Sequence, residues 1–383
     1  MRGVLALVVV AAHAWQIFIW PAEGAPGLAA LVLLPSARVA VLAFFALSGY
    51  VIAASLASNG RVPRMPNIER YVLARVFRVV PPLLVIIGLT AAIAAVLARA
   101  GADHDFAAGV ARDVYRTDPW GQLRALATLC TQGELTGAWL NGPLWSLAYE
   151  IRMYVVAGLL ACVLCARGWL ARVVALLLAW KFVAAIKLGA SIDGLDLQGT
   201  AFAAFASGSI AYRLRHMRGR TLLSVATGFA LVAAWRASQS RVALVAGLDS
   251  DPVLLSAQVA LSACGALLIP LVARMPAWPS LRRMGDHSYT LYIGHFPVLL
   301  AIRFVLANAW PSALSAPWTL AGLAGAAAWF GLSRLGRWIE RPSLQLAFAG
   351  RSVAACRSLG TYLAASIKVG RTRGMPYRTG EAA

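Results

Sequence analysis

His13 and Glu150 are ionisable side chains inside long apolar runs, where little water is available to stabilise a charge. Such residues are costly at membrane depth and usually serve a function. An imidazole beside a carboxylate can take a proton from a hydroxyl, because the carboxylate fixes the ring tautomer and stabilises its cation. Glu150 and Arg152 are two positions apart and point to different helix faces, so we expect Glu150 to pair with His13 on another helix.

Each of the two residues can also have a purely structural role. His13 can be a packing histidine satisfied by a backbone carbonyl, and Glu150 can pair with an arginine and serve assembly alone. Three further ionisable residues lie within apolar runs, namely Lys181, His295 and Arg303. Lys181 and Arg303 are expected to extend toward a membrane interface, where their charges meet water.

Arg75 and Arg78 are three positions apart in the basic segment NIERYVLARVFRVVPP, so they fall on one face of a short helix. Guanidinium groups make charge-assisted, bidentate contacts with phosphates. The pair is therefore predicted to bind a phosphate-bearing donor, with lipid headgroups or simple topological bias as the alternative. Pro81 and Pro82 follow at once and fit the first turn of the next helix.

The composition places these residues in a membrane protein. Hydrophobic residues make up 60% of the chain and charged residues only 13%, which is too apolar for a soluble surface. Apolar runs predict about ten transmembrane helices, near 3–20, 38–58, 79–98, 143–165, 170–188, 197–213, 221–236, 253–273, 288–307 and 318–335. We therefore predict one all-α, polytopic integral membrane helix bundle over residues 1–345, followed by a basic tail at 346–383, partly disordered and with a weakly amphipathic piece.

The net charge of +20 is explained by the same architecture. Arginines cluster in alternate loops and acidic residues fall in the opposite ones, so the positive-inside rule puts both termini in the cytoplasm. The long acidic loop at 99–142 then faces outward, as a lid or a plain connector. Nucleic-acid binding is not expected. The Cys162–Cys165 pair lies in an apolar helix and is assigned to packing, and no metal site is expected.

Six short motifs occur along the chain in a fixed order. They are Arg2-Gly3 with His13 eleven positions after the arginine, the run ARVAVLAFFALSGYVIAASL, the RVFR segment of Arg75 and Arg78, LWSLAYE before an aromatic residue, HSYTLYIGHFPVL, and the closing Glu340-Arg341-Pro342. Each is weak alone, but together they resemble the acyltransferase 3 family of integral membrane acyltransferases, from residue 2 to about 342.

The resemblance implies a function and a role for each motif. Family members take an acyl group from cytoplasmic acyl-CoA, a co-substrate rather than a bound cofactor, and pass it to a hydroxyl of an extracytoplasmic or lipid-linked glycan. His13 would be catalytic with Glu150, and Arg2, Arg75 and Arg78 would engage the donor. The remaining motif side chains are expected in the acceptor site or its pocket: Ser48, Tyr50, Asn141, Trp145, Tyr149, Tyr154, Tyr292 and His295.

The expected protein is thus a multi-pass enzyme of the cell inner (cytoplasmic) membrane, surrounded by membrane lipid. Acetyl-CoA is the leading donor, and the acceptor is a cell-envelope or exported glycan. Since no soluble domain is fused to the bundle, a separate periplasmic partner could complete the transfer. The competing function is a proton-coupled transporter or a non-catalytic component of polysaccharide export, because midplane His and Glu residues also occur in carriers.

Overall fold

A computed structural model describes residues 1–23, 28–58, 68–100, 141–165, 168–185, 197–240, 251–276 and 279–341. The described part is helical, and its main helices are α1 (Arg2–Ala14), α2 (Leu28–Ser58), α3 (Ile68–Arg99), α4 (Trp145–Cys165), α5 (Trp169–Ala185), α6 (Leu197–Arg213), α7 (Gly219–Gln239), α8 (Pro252–Val272), α9 (Pro279–Asp286), α10 (Ser288–Ala309) and α11 (Pro317–Ile339). Helix α1 continues through a π-helical turn, Trp15–Ile19, and a final turn, Trp20–Glu23.

Seven described segments are long and apolar enough to cross a membrane. They are Arg2–Glu23, Leu31–Ala57, Tyr71–Leu97, Gly142–Leu164, Gly219–Gln239, Pro252–Val272 and Ser288–Ala309. Helices α5, α6 and α11 occupy the other three predicted positions, but α5 and α6 have only 17 residues each. An all-helical, multi-pass membrane bundle is therefore confirmed, whereas ten crossings and cytoplasmic termini stay predictions.

The outside of the bundle is apolar. Along α5, for example, Leu176, Leu177 and Leu178 are each more than half exposed. A contiguous exposed apolar surface of this kind is unfavourable in water and favourable in lipid. The predicted 99–142 loop, apart from its ends, and the 346–383 tail lie outside the described residues.

Helix α3 differs from the sequence prediction at its start. We expected Pro81 and Pro82 in the first turn of a helix beginning near residue 79, but the helix begins at Ile68 and continues through both prolines. A proline removes one backbone donor and crowds the preceding turn. Transmembrane helices tolerate this where neighbouring side chains satisfy the freed groups. Arg75 and Arg78 therefore belong to the same helix as the third apolar span.

The site is held by α1, α2, α3, α4 and α10, whose buried side chains form one apolar core. Small residues set the helix spacing nearby: a methyl group on Gly49 or Gly208 would overlap a backbone carbonyl across the α2–α6 contact. Such close packing of small residues is typical of membrane helices. Gly49 of the FFALSGY motif thus allows α2 to pack closely on α6. The residue before it, Ser48, donates to Glu150 of α4.

Candidate functional site

His13 and His295 are in direct contact between α1 and α10. Nδ1 of His13 lies 3.1 Å from Nε2 of His295, and the ring centroids are 5.0 Å apart. Phe296 packs edge-on against the His13 ring. His295 is completely buried, whereas His13 is partly exposed. Sequence reasoning placed both residues at the site but did not predict that they contact each other.

The backbone around the two rings assigns their tautomers. Nδ1 of His295 lies 2.7 Å from the Tyr292 carbonyl and 3.2 Å from that of Leu291, so this nitrogen carries the proton and Nε2 accepts. Nδ1 of His13 lies between that acceptor and the Val9 carbonyl at 3.0 Å, so it also carries its proton. Nε2 of His13 then holds a lone pair, and no described residue bonds to it.

The predicted hydrogen bond between His13 and Glu150 is wrong. Oε1 of Glu150 accepts from the Ser48 hydroxyl at 2.8 Å and from the Tyr154 hydroxyl. The carboxylate is therefore bonded to the motif serine of α2 and to Tyr154, one helical turn beyond Glu150, rather than to His13. Arg152 donates to Gln198, and it lies on a different face of α4 from Glu150, as the spacing of two residues predicted. A catalytic role for Glu150 stays a prediction.

Glu150 instead belongs to a polar cavity among α1, α2, α3, α4 and α10. The cavity encloses about 50 Å³, which is room for only a few water molecules. Its polar lining comprises Arg2, Ser48, Arg78, Ser146, Glu150, Tyr154 and Ser288, with Tyr289 and Tyr292. The structure therefore brings Arg2, Arg78 and Glu150 together, with the Arg2 and Glu150 charges close enough to interact.

Arg75 lies on the other side of Tyr154 from this cavity. Its guanidinium packs over the rings of Tyr71 and Tyr154, and Nη2 donates to Ser55 at 3.4 Å. It lines an apolar groove of about 300 Å³ between α3 and α4. The spacing of three residues brings both arginines near α4, but Arg78 alone of the two lines the polar cavity.

Tyr292 lies between the cavity and the histidine pair. Its hydroxyl is 2.6 Å from Ser146, its carbonyl holds His295, and its ring lines the cavity. On the neighbouring turn, Nδ2 of Asn141 donates to the Ile293 carbonyl at 2.7 Å. Oδ1 of Asn141 is buried and has no hydrogen-bond partner among the described residues. Among the described residues, Oδ1 of Asn141 is therefore a hydrogen-bond acceptor without a partner, beside α10.

The remaining predicted pocket residues divide into two groups. Trp145 and Tyr149 contact each other at the layer of Tyr292, and the Arg38 guanidinium lies over the Trp145 ring. The sequence analysis did not single out Arg38, because it is the first residue of the predicted span 38–58, and arginines are common at the ends of membrane spans. Tyr50, in contrast, packs against Tyr212 in a separate core cluster and does not line the cavity, and its role at the acceptor site stays a prediction. Its position is two residues after Ser48, on a different face of α2.

Glu340 joins the cytoplasmic end of the site as defined by the predicted topology. It follows α11 directly, and its Oε1 accepts from the Thr290 backbone N–H at 2.8 Å, in the first turn of α10. Burial raises the pKa of the Glu340 carboxyl, and the Thr290 N–H and the charges of Arg78 and Arg2 oppose that shift. The closing Glu-Arg-Pro motif thus fixes the start of the helix that carries Tyr292 and His295.

Comparison with known proteins agrees with this arrangement. A family model described as an acyltransferase domain, that of the acyltransferase 3 family, matches residues 1–333. The chain belongs to the acyltransferase 3 family. No curated protein and no solved structure matches it. Membership supports a membrane acyltransferase, while the individual roles of His13, Glu150 and the arginines stay predictions. Among the described residues, no group of three or more His, Cys, Asp and Glu side chains is placed to hold a metal ion.

Proposed function

We propose that this acyltransferase 3 protein moves an acyl group, acetyl as the leading candidate, from acyl-CoA to a hydroxyl of an envelope or exported glycan. The observation that carries the proposal is the orientation of His13. Its Nδ1 is engaged by Val9 and His295, which leaves the lone pair on Nε2. A neutral imidazole with an available Nε2 is what general-base catalysis on a hydroxyl requires.

In the proposed step, Nε2 of His13 takes the proton of the acceptor hydroxyl as its oxygen attacks the thioester carbonyl. The new C–O bond forms, the C–S bond breaks, and the CoA thiolate leaves and takes up the proton. While His13 is cationic, its Nδ1–H donates to the lone pair of His295, which stabilises the charge without a carboxylate. The same Nε2 would be the nucleophile if the acyl group rested briefly on His13.

The donor is proposed to approach from the cytoplasmic side of the polar cavity. Arg2 and Arg78 supply positive charge there, and phosphates of acyl-CoA are suitable anionic partners. In this proposal the chain completes the transfer alone, and a separate periplasmic partner that finishes the transfer is the alternative.

The test is acylation of the glycan in host cells, in whose inner membrane we place the protein. His13→Ala should abolish the acyl groups detected by mass spectrometry of the envelope glycan, at wild-type amounts of membrane protein. His216→Ala is a matched control, because His216 is exposed in a turn between α6 and α7. Full acylation with His13→Ala would reject the proposal, and loss of acylation with both variants would point to folding.

A further inference from the structure

The backbone carbonyl of Ile17 lacks its usual helical donor. In an α-helix this oxygen accepts from the N–H four residues later, and that residue is Pro21, which has none. The proline ring also crowds the carbonyl four positions before it. The helix widens here into the π-helical turn Trp15–Ile19, in which the Trp20 N–H donates to the Trp15 carbonyl. The α-helical donor of the Ile17 carbonyl is therefore absent, one turn beyond His13.

Arg303 of α10 supplies the missing donor. Its Nη1 donates to the Ile17 carbonyl. Ile17 is completely buried, and an unsatisfied polar group in apolar surroundings is strongly unfavourable. The expectation that Arg303 extends to a membrane interface is thus wrong: the guanidinium turns inward to a specific backbone partner. An arginine at membrane depth is itself costly, and this bond gives one of its five N–H donors a partner.

This bond is the second polar link between α1 and α10. The first is the His13–His295 contact, four residues before Ile17 on α1 and eight before Arg303 on α10. One link limits the separation of two helices but allows α1 to rotate about its axis. Two links at different heights also fix that rotation, and the rotation decides where the His13 ring points.

We propose that Arg303 is a positioning residue for His13. By holding the Ile17 carbonyl, it fixes the outer half of α1 against α10, so that Nδ1 of His13 stays bonded to His295 and Nε2 faces the substrate. The kinetic readout of this inference rests on the proposed function. The link between Arg303 and Ile17 can also be tested through the stability of the protein, which does not depend on that function.

The experiment is a double-mutant cycle in the full-length protein. Arg303→Met keeps the length of the side chain but removes its donors. Pro21→Ala gives residue 21 an N–H that can satisfy Ile17 without Arg303. With Pro21 in place, Arg303→Met should lower kcat by about tenfold to a hundredfold, the scale of a small misplacement, with KM for the donor nearly unchanged. In the Pro21→Ala background the same change should cost less than about threefold.

Two controls separate positioning from general damage. Arg303→Lys restores one donor and should recover most of kcat, and Arg236→Met should have no effect, since Arg236 bonds Ser256 at 2.8 Å between α7 and α8. An equal loss in both backgrounds, or wild-type kcat for Arg303→Met, would overturn the inference. If the wild type transfers no acyl group, the proposed function fails. The cycle is then read from thermal unfolding in detergent, where absence of coupling overturns the Arg303–Ile17 link.

Discussion

His13 reaches its basic tautomer through neutral partners rather than through a carboxylate. The Val9 carbonyl and Nε2 of His295 both accept from Nδ1, and the Tyr292 carbonyl fixes His295 in turn. A neutral pair is less costly to bury between helices than an imidazole–carboxylate pair that becomes charged. His295 also offers its lone pair when His13 is protonated. The chemistry at the residue scale therefore depends on an acceptor at position 295.

Substitution of His295 tests this dependence. Glutamine can place a carbonyl oxygen near the present Nε2, whereas leucine fills similar space without an acceptor. We expect His295→Leu to reduce kcat by about a hundredfold, within the usual contribution of general-base catalysis, and His295→Gln to retain much more activity. Steady-state rates per folded molecule provide the measurement. Equal losses for the two variants would indicate that position 295 acts through packing.

Glu150 is predicted to act through charge rather than through a bond to His13. In Glu150→Gln, the amide oxygen can still accept from Ser48 and Tyr154, so the bundle should assemble normally. The negative charge beside Arg2 is lost, and we expect the rate per molecule to fall about a hundredfold or more, the low end of general acid–base contributions. Size-exclusion yield and rate should be measured together. A lower yield with a normal rate would assign Glu150 to assembly.

At the scale of the elements, α3 presents its two motif arginines to different surroundings. Arg78 lines the polar cavity with Arg2, whereas Arg75 packs on two tyrosines beside an apolar groove. Because Tyr154 separates them, we do not expect one phosphate group to engage both side chains in the described arrangement. The structure therefore predicts that Arg75 and Arg78 contribute unequally to donor binding. Their spacing in the sequence does not predict this difference.

Donor affinity should therefore respond mainly to Arg78. Arg78→Ala should weaken acyl-CoA binding by about 1.5–3 kcal/mol, the value of a lost charged hydrogen bond, and Arg75→Ala should cost less. Arg78→Lys should recover little, because a point charge does not replace the planar fork. Isothermal titration with CoA in detergent gives the constants. Equal losses at the two positions would show that both contact the donor.

The sequence predicted most of the elements and part of the site. Apolar runs of about 20 residues determine where membrane helices lie, and the described helices occupy all ten predicted positions. The motifs predicted that Arg2 and Arg78 lie together, whereas Glu150 was expected beside His13 and instead lines the cavity of the two arginines. The partner of His13 was not predictable, because it depends on how α1 is rotated against α10. The π-helical turn and the Arg303 bond, which influence that rotation, follow from Pro21 only once the helices are in contact.

At the scale of the whole molecule, the account requires a defined orientation in the membrane. The turn Pro311–Ser315 between α10 and α11 should face outward, and the turn Leu214–His216 between α6 and α7 should face the cytoplasm. In a variant without native cysteines, Ser315→Cys should react with an impermeant thiol reagent in intact spheroplasts, and Met217→Cys should react only after lysis. The reverse pattern would place the donor cavity on the wrong side.

The most direct test of the central claim is acyl transfer by the purified protein. Wild-type protein and His13→Ala would be reconstituted in liposomes and supplied with radiolabelled acetyl-CoA and envelope glycan prepared from a strain lacking the protein. Label in the glycan and free CoA thiol would be measured together. We predict equimolar label and thiol with the wild type and background amounts with His13→Ala. Equal labelling by the two proteins would contradict the account.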